Sequence, residues 1–512
     1  MFPSRTASAI FWAALIFHGP ATAEDLTWRQ AFRFLNHATF GPKRAEIARV
    51  QRDGYQAWLD EQFRLPASRY PEYLQDKPIE WSQDYFFQLG MQNDDQLRQR
   101  VAFALHKIFV VSAVEVNDGR AITSYLNLLS TLAFDNIYVV LKQITLHPAM
   151  GEYLDMVNND RARPGSESQP NENYARELMQ LFSIGLVQLN PDGTTKLDAA
   201  GNPIPTYTEA DVKSVTRALT GWTYPRESGA TRGHNPPFYS GFMTAVEANH
   251  DTSAKVLPGG AEIPAGQTAQ QDLDAVIDFL YGHPNLAPFL SRQLIQQLVT
   301  SNPSPAYVAR VSAVFEDNGE GVKGDLKAVI RAILLDSEAI DPTSDSGGHL
   351  KEPALAVLSL IRPIGARVGD FPVLADEAIE MGQSILFPPS VFSYFSPGYR
   401  IPGAGLGGPE FQILTSETAL RRVNYVGKLL YGGFGSYIEL DSKRYVDAAP
   451  DTNALLQLVD EDFLGGWMHD DPAGTAMLDA ITKAVNAQES AAAKAAAAIY
   501  LVGSSQQFQV VR

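Results

Sequence analysis

Apolar residues recur at helical spacing along most of this 512-residue chain, and this periodicity restricts the fold more than any other feature. Side chains three and four positions apart lie on one face of a helix. The spacing predicts helices at residues 31–38, 47–63, 273–280, 287–299, 307–315 and 326–335, and an alanine-rich helix is predicted at 490–501. Residues 101–111 are apolar nearly all round, which predicts a helix in the middle of the fold. We therefore predict a mainly α fold, built as one large multi-helical domain.

Residues 190–205 are the clearest departure from the helical pattern. Asp192-Gly193 and Ala200-Gly201-Asn202 are turn signals that separate short extended runs. This arrangement predicts a small β-hairpin inserted between helices.

Residues 1–23 have the features of a cleavable secretory signal. Arg5 precedes an apolar run at residues 9–17, and Ala21-Thr22-Ala23 is a small-residue cleavage pattern. The run is too short for a membrane anchor, and no later segment is apolar for long enough to span a bilayer. We expect a signal peptide at residues 1–23 and a single helical domain at residues 24–512, as a soluble product that is periplasmic or secreted and has no integral membrane segment.

Composition excludes several classes of function. The chain has no cysteine, which excludes disulfides, cysteine zinc sites and thiol nucleophiles. Its formal net charge of −17 would repel nucleic acid, and no basic run opposes that charge. The acidic residues are spread out, and the denser groups at 460–462 and 470–471 are predicted to be solvated surface.

Sequence signatures of common catalytic sites are missing. The chain has no HExxH, no GxSxG and no Walker A loop. Residues 403–408 spell G-x-G-x-x-G, but they follow Arg400-Ile401-Pro402 instead of a strand and run into Pro409. We therefore expect a loop there and no nucleotide cofactor.

The segment at residues 170–185 has the densest group of candidate catalytic side chains. Pro170 is predicted to open a helix and Gly185 to end it. The candidates are Glu172, Asn173, Arg176 and Glu177. A helix start with free N–H groups favours anions, but a cap together with a Glu172–Arg176 surface ion pair would explain the same residues.

Two histidines and one aspartate are candidate metal ligands: His106, His250 and Asp251. Together with Glu177 the two histidines would make a three-ligand set for a divalent metal ion. The alternatives are a buried His106 bonded to the backbone, and a turn in which Asp251 bonds the chain two residues further on.

Several blocks, in order along the chain, carry a resemblance to a known family. They are residues 32–42 (FRFLNHATFGP), 170–185 (PNENYARELMQLFSIG), 207–212 and 219–222, His250-Asp251 with Lys255, 350–353 (LKEP), 387–392 (FPPSVF) and 508–512 (FQVVR). With these blocks the chain resembles the bacterial exported family catalogued as domain of unknown function 1800. It departs from the family at Asn249, where a second histidine is common, and a paired-histidine metal site is therefore in doubt.

The resemblance implies a large exported protein, whose gene often neighbours that of a second exported protein similar to sulfatases and phosphatases. It carries no established activity and no known catalytic residue. Two hypotheses follow. The first is a binding or accessory partner of such a sulfatase-like protein. The second is a metal-assisted hydrolase of an envelope or extracellular substrate, with Glu177 as base or ligand, His106 and His250 as ligands or acid–base groups, and Arg176 holding an anion.

Overall fold

A computed structural model describes residues 26–163, 165, 168–229, 231, 233–341 and 347–511. The predicted signal peptide at residues 1–23 lies outside the described residues. In the described part of the chain, no helix is both long enough and apolar enough to cross a membrane.

Helices dominate the described residues, as the periodicity predicts. Helices α1 to α9 are Trp28–Ala38, Arg44–Arg64, Glu80–Gln92, Gln96–Ile108, Gly119–Leu132, Ile137–Leu146, Pro148–Tyr153, Asn173–Gln180 and Glu209–Ala218. Helices α10 to α16 are Ala269–Gly282, Leu286–Leu298, Pro305–Glu316, Leu326–Leu335, Ser337–Ile340, Pro353–Ile364 and Pro372–Glu380. Helices α17 to α23 are Ser416–Leu430, Lys443–Ala448, Thr452–Leu464, Trp467–Asp470, Pro472–Asn486, Ala491–Gly503 and Gln506–Gln509. The prediction of a mainly α, single-domain fold is confirmed.

The strands are short and pair only in twos within the described residues. The antiparallel pairs are β1 (Trp222–Thr223) with β2 (Thr244–Ala245), β3 (Lys255–Val256) with β4 (Glu262–Ile263), β5 (His349–Leu350) with β8 (Val510–Val511), and β6 (Arg367–Val368) with β7 (Ile438–Glu439). In the β5–β8 pair, His349 lies opposite Val511. This pairing holds the end of the described chain beside residues 349–351.

The predicted hairpin at residues 190–205 forms as a set of isolated antiparallel bridges. Leu189 pairs with Thr195, Leu197 with Pro203, and Val187 with Pro205. Gly193 and Gly201 take positive φ angles of 76° and 84° at the two turns, as the turn signals predict. Only bridges form, because the chain reverses twice within these few residues.

The core is one continuous set of buried apolar side chains that joins α1 to α23. Two helices lie inside it. In α4, the predicted central helix, every residue except Ala102 is buried, and in α15 all 12 residues are buried. The buried Arg362 of α15 donates hydrogen bonds to the carbonyls of Gly41 (2.8 Å) and Gly90 (2.6 Å). A buried guanidinium thus bonds the segments that precede α2 and end α3 to the central helix.

The acidic group at residues 460–462 is not the solvated surface that the sequence predicts. Asp460 and Asp462 are buried. Asp460 accepts hydrogen bonds from the backbone of Met468 and His469, 3.0 Å each. Asp462 forms ion pairs with Arg44 and Arg444, both at 2.9 Å. The prediction is wrong because the packing of α19 turns these two carboxylates inward onto donors from other elements.

Candidate functional site

Arg176 joins helix α8 to helix α9. Its guanidinium contacts Glu172 (3.0 Å) and binds both carboxylate oxygens of Glu209 (2.8 and 2.9 Å). The hydrogen bonds that Arg176 donates to Glu209 raise the pKa of Arg176, although partial burial opposes the rise. Two carboxylates of the protein therefore already bind the guanidinium that was predicted to hold an anion. The Glu172–Arg176 ion pair of the alternative interpretation is present.

The start of α8 differs from the prediction. The helix begins at Asn173 instead of Pro170, because Asn171 is held in the preceding loop by paired 2.9 Å hydrogen bonds with the Asn159 side chain. The Asn173 amide nitrogen donates to Asp155 (3.3 Å). Asn173 is half-buried and serves to hold this loop.

Glu177 is a buried candidate with one carboxylate oxygen that lacks a partner among the described residues. Its residue is 8% exposed, and its Oε2 has no hydrogen-bond partner among the described residues. Burial raises the pKa of the Glu177 carboxyl, and the Arg176 charge only partly opposes this. Burial therefore makes ionisation of this carboxyl less favourable than in water.

The predicted helix end at Gly185 is wrong, because α8 ends at Gln180 and Gly185 lies just after the turn that follows, against helix α11. Its φ of 69° is left-handed, and its N–H donates to the Met179 carbonyl (2.9 Å). A Cβ at Gly185 would lie 2.8 Å from the Phe289 ring. Only glycine allows this close approach of the motif's end to α11.

His106 lies inside the core. Its Nε2 is 3.1 Å from the carbonyl oxygen of Val111, and burial lowers the pKa of the imidazole to about 4. The backbone-bonded alternative describes its state.

His250 belongs to a fully buried charged cluster that also contains Asp272 and Lys255. His250 Nδ1 lies 2.9 Å from the Thr220 carbonyl oxygen, and Nε2 lies 3.1 Å from Asp272 Oδ2. Lys255 Nζ lies 2.6 Å from the same carboxylate oxygen. Because Thr220, His250 and Asp272 come from three different segments, this cluster ties the loop after β2 to the end of α9 and to α10.

Asp251 forms the predicted turn. Its Oδ1 accepts a hydrogen bond from the Ser253 N–H (2.9 Å). Although burial acts to raise the pKa of the Asp251 carboxyl, the Ser253 hydrogen bonds and the charges of Lys255 and Arg217 lower it.

The candidate ligands are not brought together. Among the residues that the structure describes, no three His, Asp or Glu side chains are grouped so that they could hold a metal ion. The described residues include His106, Glu177, His250 and Asp251, so the three-ligand set does not form. The side chains of His106, His250 and Asp251 each contact another group of the protein instead.

A cleft of about 400 Å³ opens where the 170–185 segment ends. Its walls come from the bridged segment after Gly185, from one face of α11 and from the loop at residues 391–398; the lining includes Leu181, Leu186, Val187, Leu189, Phe289, Gln293, Gln296, Val391 and Phe392. We call this feature the cleft. Its volume lies in the range of ligand pockets, and its lining is largely apolar with a few amides and charges.

Asn285 fixes the geometry of the cleft wall. Its buried amide donates to the carbonyls of Ile184 (2.8 Å) and Val187 (2.7 Å), and its Oδ1 accepts from the Leu189 N–H (2.9 Å). Since Asn285 is the cap of α11, one side chain holds the bridged segment against this helix.

A buried ion pair forms the floor of the cleft. Lys107 Nζ lies 2.5 Å from Glu352 Oε1, with both side chains at most 2% exposed, and Gln383 donates to Glu352 Oε2 (2.6 Å). Burial lowers the pKa of Lys107. Burial acts to raise the pKa of Glu352, but the Lys107 charge and hydrogen bond lower it. The lowered pKa of Glu352 favours its carboxylate form beside Lys107, whereas burial opposes the charge of Lys107.

Arg292 lies at the exposed side of the cleft, next to Arg400. Burial of the guanidinium and repulsion from Arg400 lower the pKa of Arg292. Arg292 forms no ion pair with any described carboxylate. Leu186 and Phe392 are 56% and 40% exposed beside it, so the opening combines apolar surface with unpaired positive charge.

Sequence reasoning missed the cleft and its floor. Lys107 is next to the candidate ligand His106, and Glu352 is part of the LKEP block, but 245 positions separate Lys107 from Glu352. A lysine inside a nearly all-apolar helix was the available signal, because a fully buried lysine requires a partner.

Comparison with known proteins identifies the family of this chain. The model of the family described as protein of unknown function (DUF1800) matches residues 33–510. The chain belongs to this family. No curated protein and no solved structure matches it. In this DUF1800 chain, the matched range includes the α8 motif, the His250 cluster and the cleft.

Proposed function

We propose that this chain is an exported binding protein whose cleft holds an apolar segment, with acidic residues beside it, from a second exported protein. The cleft carries the proposal: apolar walls, exposed Leu186 and Phe392, and Arg292 without a carboxylate partner in the described residues. The chain as a whole is acidic, with a net charge of −17, so an arginine without a described carboxylate partner at an apolar opening favours an acidic partner surface.

The compartment and the partner class are also part of the proposal. Export is supported by the signal features at residues 1–23. The partner that we propose is the sulfatase-like exported protein expected from the family's gene neighbourhood. We favour the binding role over the metal-assisted hydrolase, because ring nitrogens of His106 and His250 face Val111, Thr220 and Asp272.

The test is a binding titration between the purified chain and the exported sulfatase-like protein encoded beside it. Leu186→Asp places a charge on the cleft wall, and burying a leucine contributes about 1.5–3 kcal/mol. We expect at least about tenfold weaker binding. Leu420→Asp is the matched control, because Leu420 is 59% exposed and Leu186 is 56% exposed, and Leu420 does not line the cleft.

Arg292→Ala tests the charge separately. We expect weaker binding with a smaller dependence on salt, because an exposed charge attracts an acidic partner through an interaction that salt screens. Equal binding by wild type and Leu186→Asp, or no binding by the wild type, would refute the proposed function.

A further inference from the structure

A second, smaller cavity lies away from the cleft, between α1, the chain after β5, the α19–α20 turn and the C-terminal segment. Its volume is about 50 Å³. Its lining includes Arg29, Arg33 and Asn36 of α1, Lys351, Trp467 and Gln507. We call it the α1 cavity. Three of the blocks that resemble the family, at residues 32–42, 350–353 and 508–512, meet around it.

Lys351 is the central observation. The residue is 2% exposed, and lysine is almost never buried to this degree without an acidic partner. Its ammonium lies 3.7 Å from the centre of the Phe508 ring. No described carboxylate lies within ion-pair distance of Lys351. A buried ammonium with only an aromatic face beside it retains an uncompensated charge.

The other charged groups that line the α1 cavity are also basic. Arg29 and Arg33 are on the same side of α1, and no aspartate or glutamate is among the described lining residues. Arg29 has no ion pair in the described part of the chain. Behind the wall, Arg422 donates to the Lys351 carbonyl oxygen (2.8 Å) and adds a further positive charge.

Burial, together with the basic neighbours, lowers the pKa values of two groups at or near the cavity. Burial, followed by the charge of Arg422, lowers the pKa of Lys351 to about 7. Burial also lowers the pKa of His37, and Arg33, His349 and Arg100 lower it further. In a chain with 58 acidic and 41 basic residues, a buried region with this sign of charge is unusual, and no carboxylate among the described residues that line the cavity balances it.

The size of the cavity limits what that anion can be. One water needs roughly 10–15 Å³ of such volume, so about 50 Å³ holds about four water-sized groups. A tetrahedral oxyanion has this size. Arginine forks and ammonium groups are its usual protein partners, and the Asn36 and Gln507 amides supply neutral donors.

We propose that the α1 cavity binds a small tetrahedral oxyanion, phosphate or sulfate, between Lys351 and Arg29. The cavity opens to solvent on one side, so the oxyanion is either a free ion or the end group of an ester. The apolar rings of Phe32, Phe463 and Trp467 exclude a larger group from its interior. This site is independent of the cleft and of the partner proposed for it.

The experiment is isothermal titration calorimetry of the full chain with sodium sulfate, sodium phosphate or a phosphate monoester. Sodium chloride keeps the ionic strength constant. The wild type should bind at least one of these anions with 1:1 stoichiometry. Lys351→Met keeps the length and apolar stem of the side chain and should weaken binding at least tenfold. Arg29→Gln, at a position that is only half-buried, should weaken binding several-fold and guards against a folding defect in the Lys351 variant.

Lys443→Met is the matched control, because Lys443 is exposed and paired with Asp447. It should bind as the wild type does. Tighter binding of the monoester than of inorganic phosphate assigns the site to an ester, and equal binding assigns it to the free ion. No heat of binding with any of the three anions, or unchanged binding by Lys351→Met, would overturn the proposal.

Discussion

Lys351 makes the stability of this protein depend on alkaline pH in a way that one substitution should remove. Burial and Arg422 lower its pKa from 10.5 to about 7 in the folded chain. Between these two values the unfolded chain binds a proton at Lys351 that the folded chain has largely released. The free energy of unfolding therefore rises as pH increases above about 7. This added stability is lost again as pH falls back toward 7.

The size of the effect follows from the two pKa values. From pH 7 to pH 9 the unfolded lysine keeps its proton, while the folded lysine goes from about half protonated to almost none. The average difference is about 0.8 proton over two pH units, and each proton contributes about 1.4 kcal/mol per unit, which gives about 2 kcal/mol.

The assay is urea unfolding of wild type and Lys351→Met at pH 7 and pH 9, in buffers that contain chloride but no phosphate or sulfate. Groups other than Lys351 titrate in both proteins, so the difference between them isolates this side chain. The wild type should gain about 2 kcal/mol relative to the variant at the higher pH. The same pH dependence in both proteins would refute the assignment of an uncompensated ammonium at this position.

Two further predictions concern the buried charged groups. Glu352→Gln leaves Lys107 buried without its anion and should lower the free energy of unfolding by about 3–5 kcal/mol. The double variant Lys107→Met with Glu352→Gln should recover most of this lost stability. If the Glu352→Gln variant is as stable as the wild type in urea, the pair is not ionised. Asp272→Asn removes the carboxylate that His250 and Lys255 share and should destabilise by a similar amount; a melting temperature within a degree of the wild type would count against the structural role given to this cluster.

Local features of the fold could be predicted from the sequence because they depend on neighbours along the chain. Thr208 caps α9 with a reciprocal bond to Asp211, as the spacing of these residues indicates. Asp251 bonds Ser253 two residues further on. The start of α8 was predicted three residues early because Asn159, which holds Asn171 in a loop, is 12 positions away.

The candidate site was predicted less well, because burial and pairing depend on long-range packing. Glu177 and Arg176 are neighbours in sequence, yet Arg176 donates hydrogen bonds to Glu209, whereas Glu177 is buried and its Oε2 has no partner among the described residues. The sequence predicts that His250 lies in a loop, but it does not show that the carboxylate of Asp272 on α10 contacts this histidine. Sequence spacing identifies which groups are chemically capable, and it does not identify which of them meet.

The sequence by itself determined the helical character, the turns and caps, and the family to which the chain belongs, since all of these depend on short-range patterns and on blocks that keep their order. The tertiary structure decided which charges are compensated. Lys107 finds Glu352 across 245 positions, whereas Lys351, next in sequence to that same glutamate, is buried against Phe508 without an acid among the described residues. Adjacent residues point in different directions from the backbone, so the charge that each one meets is set by helices and strands brought together from distant parts of the chain.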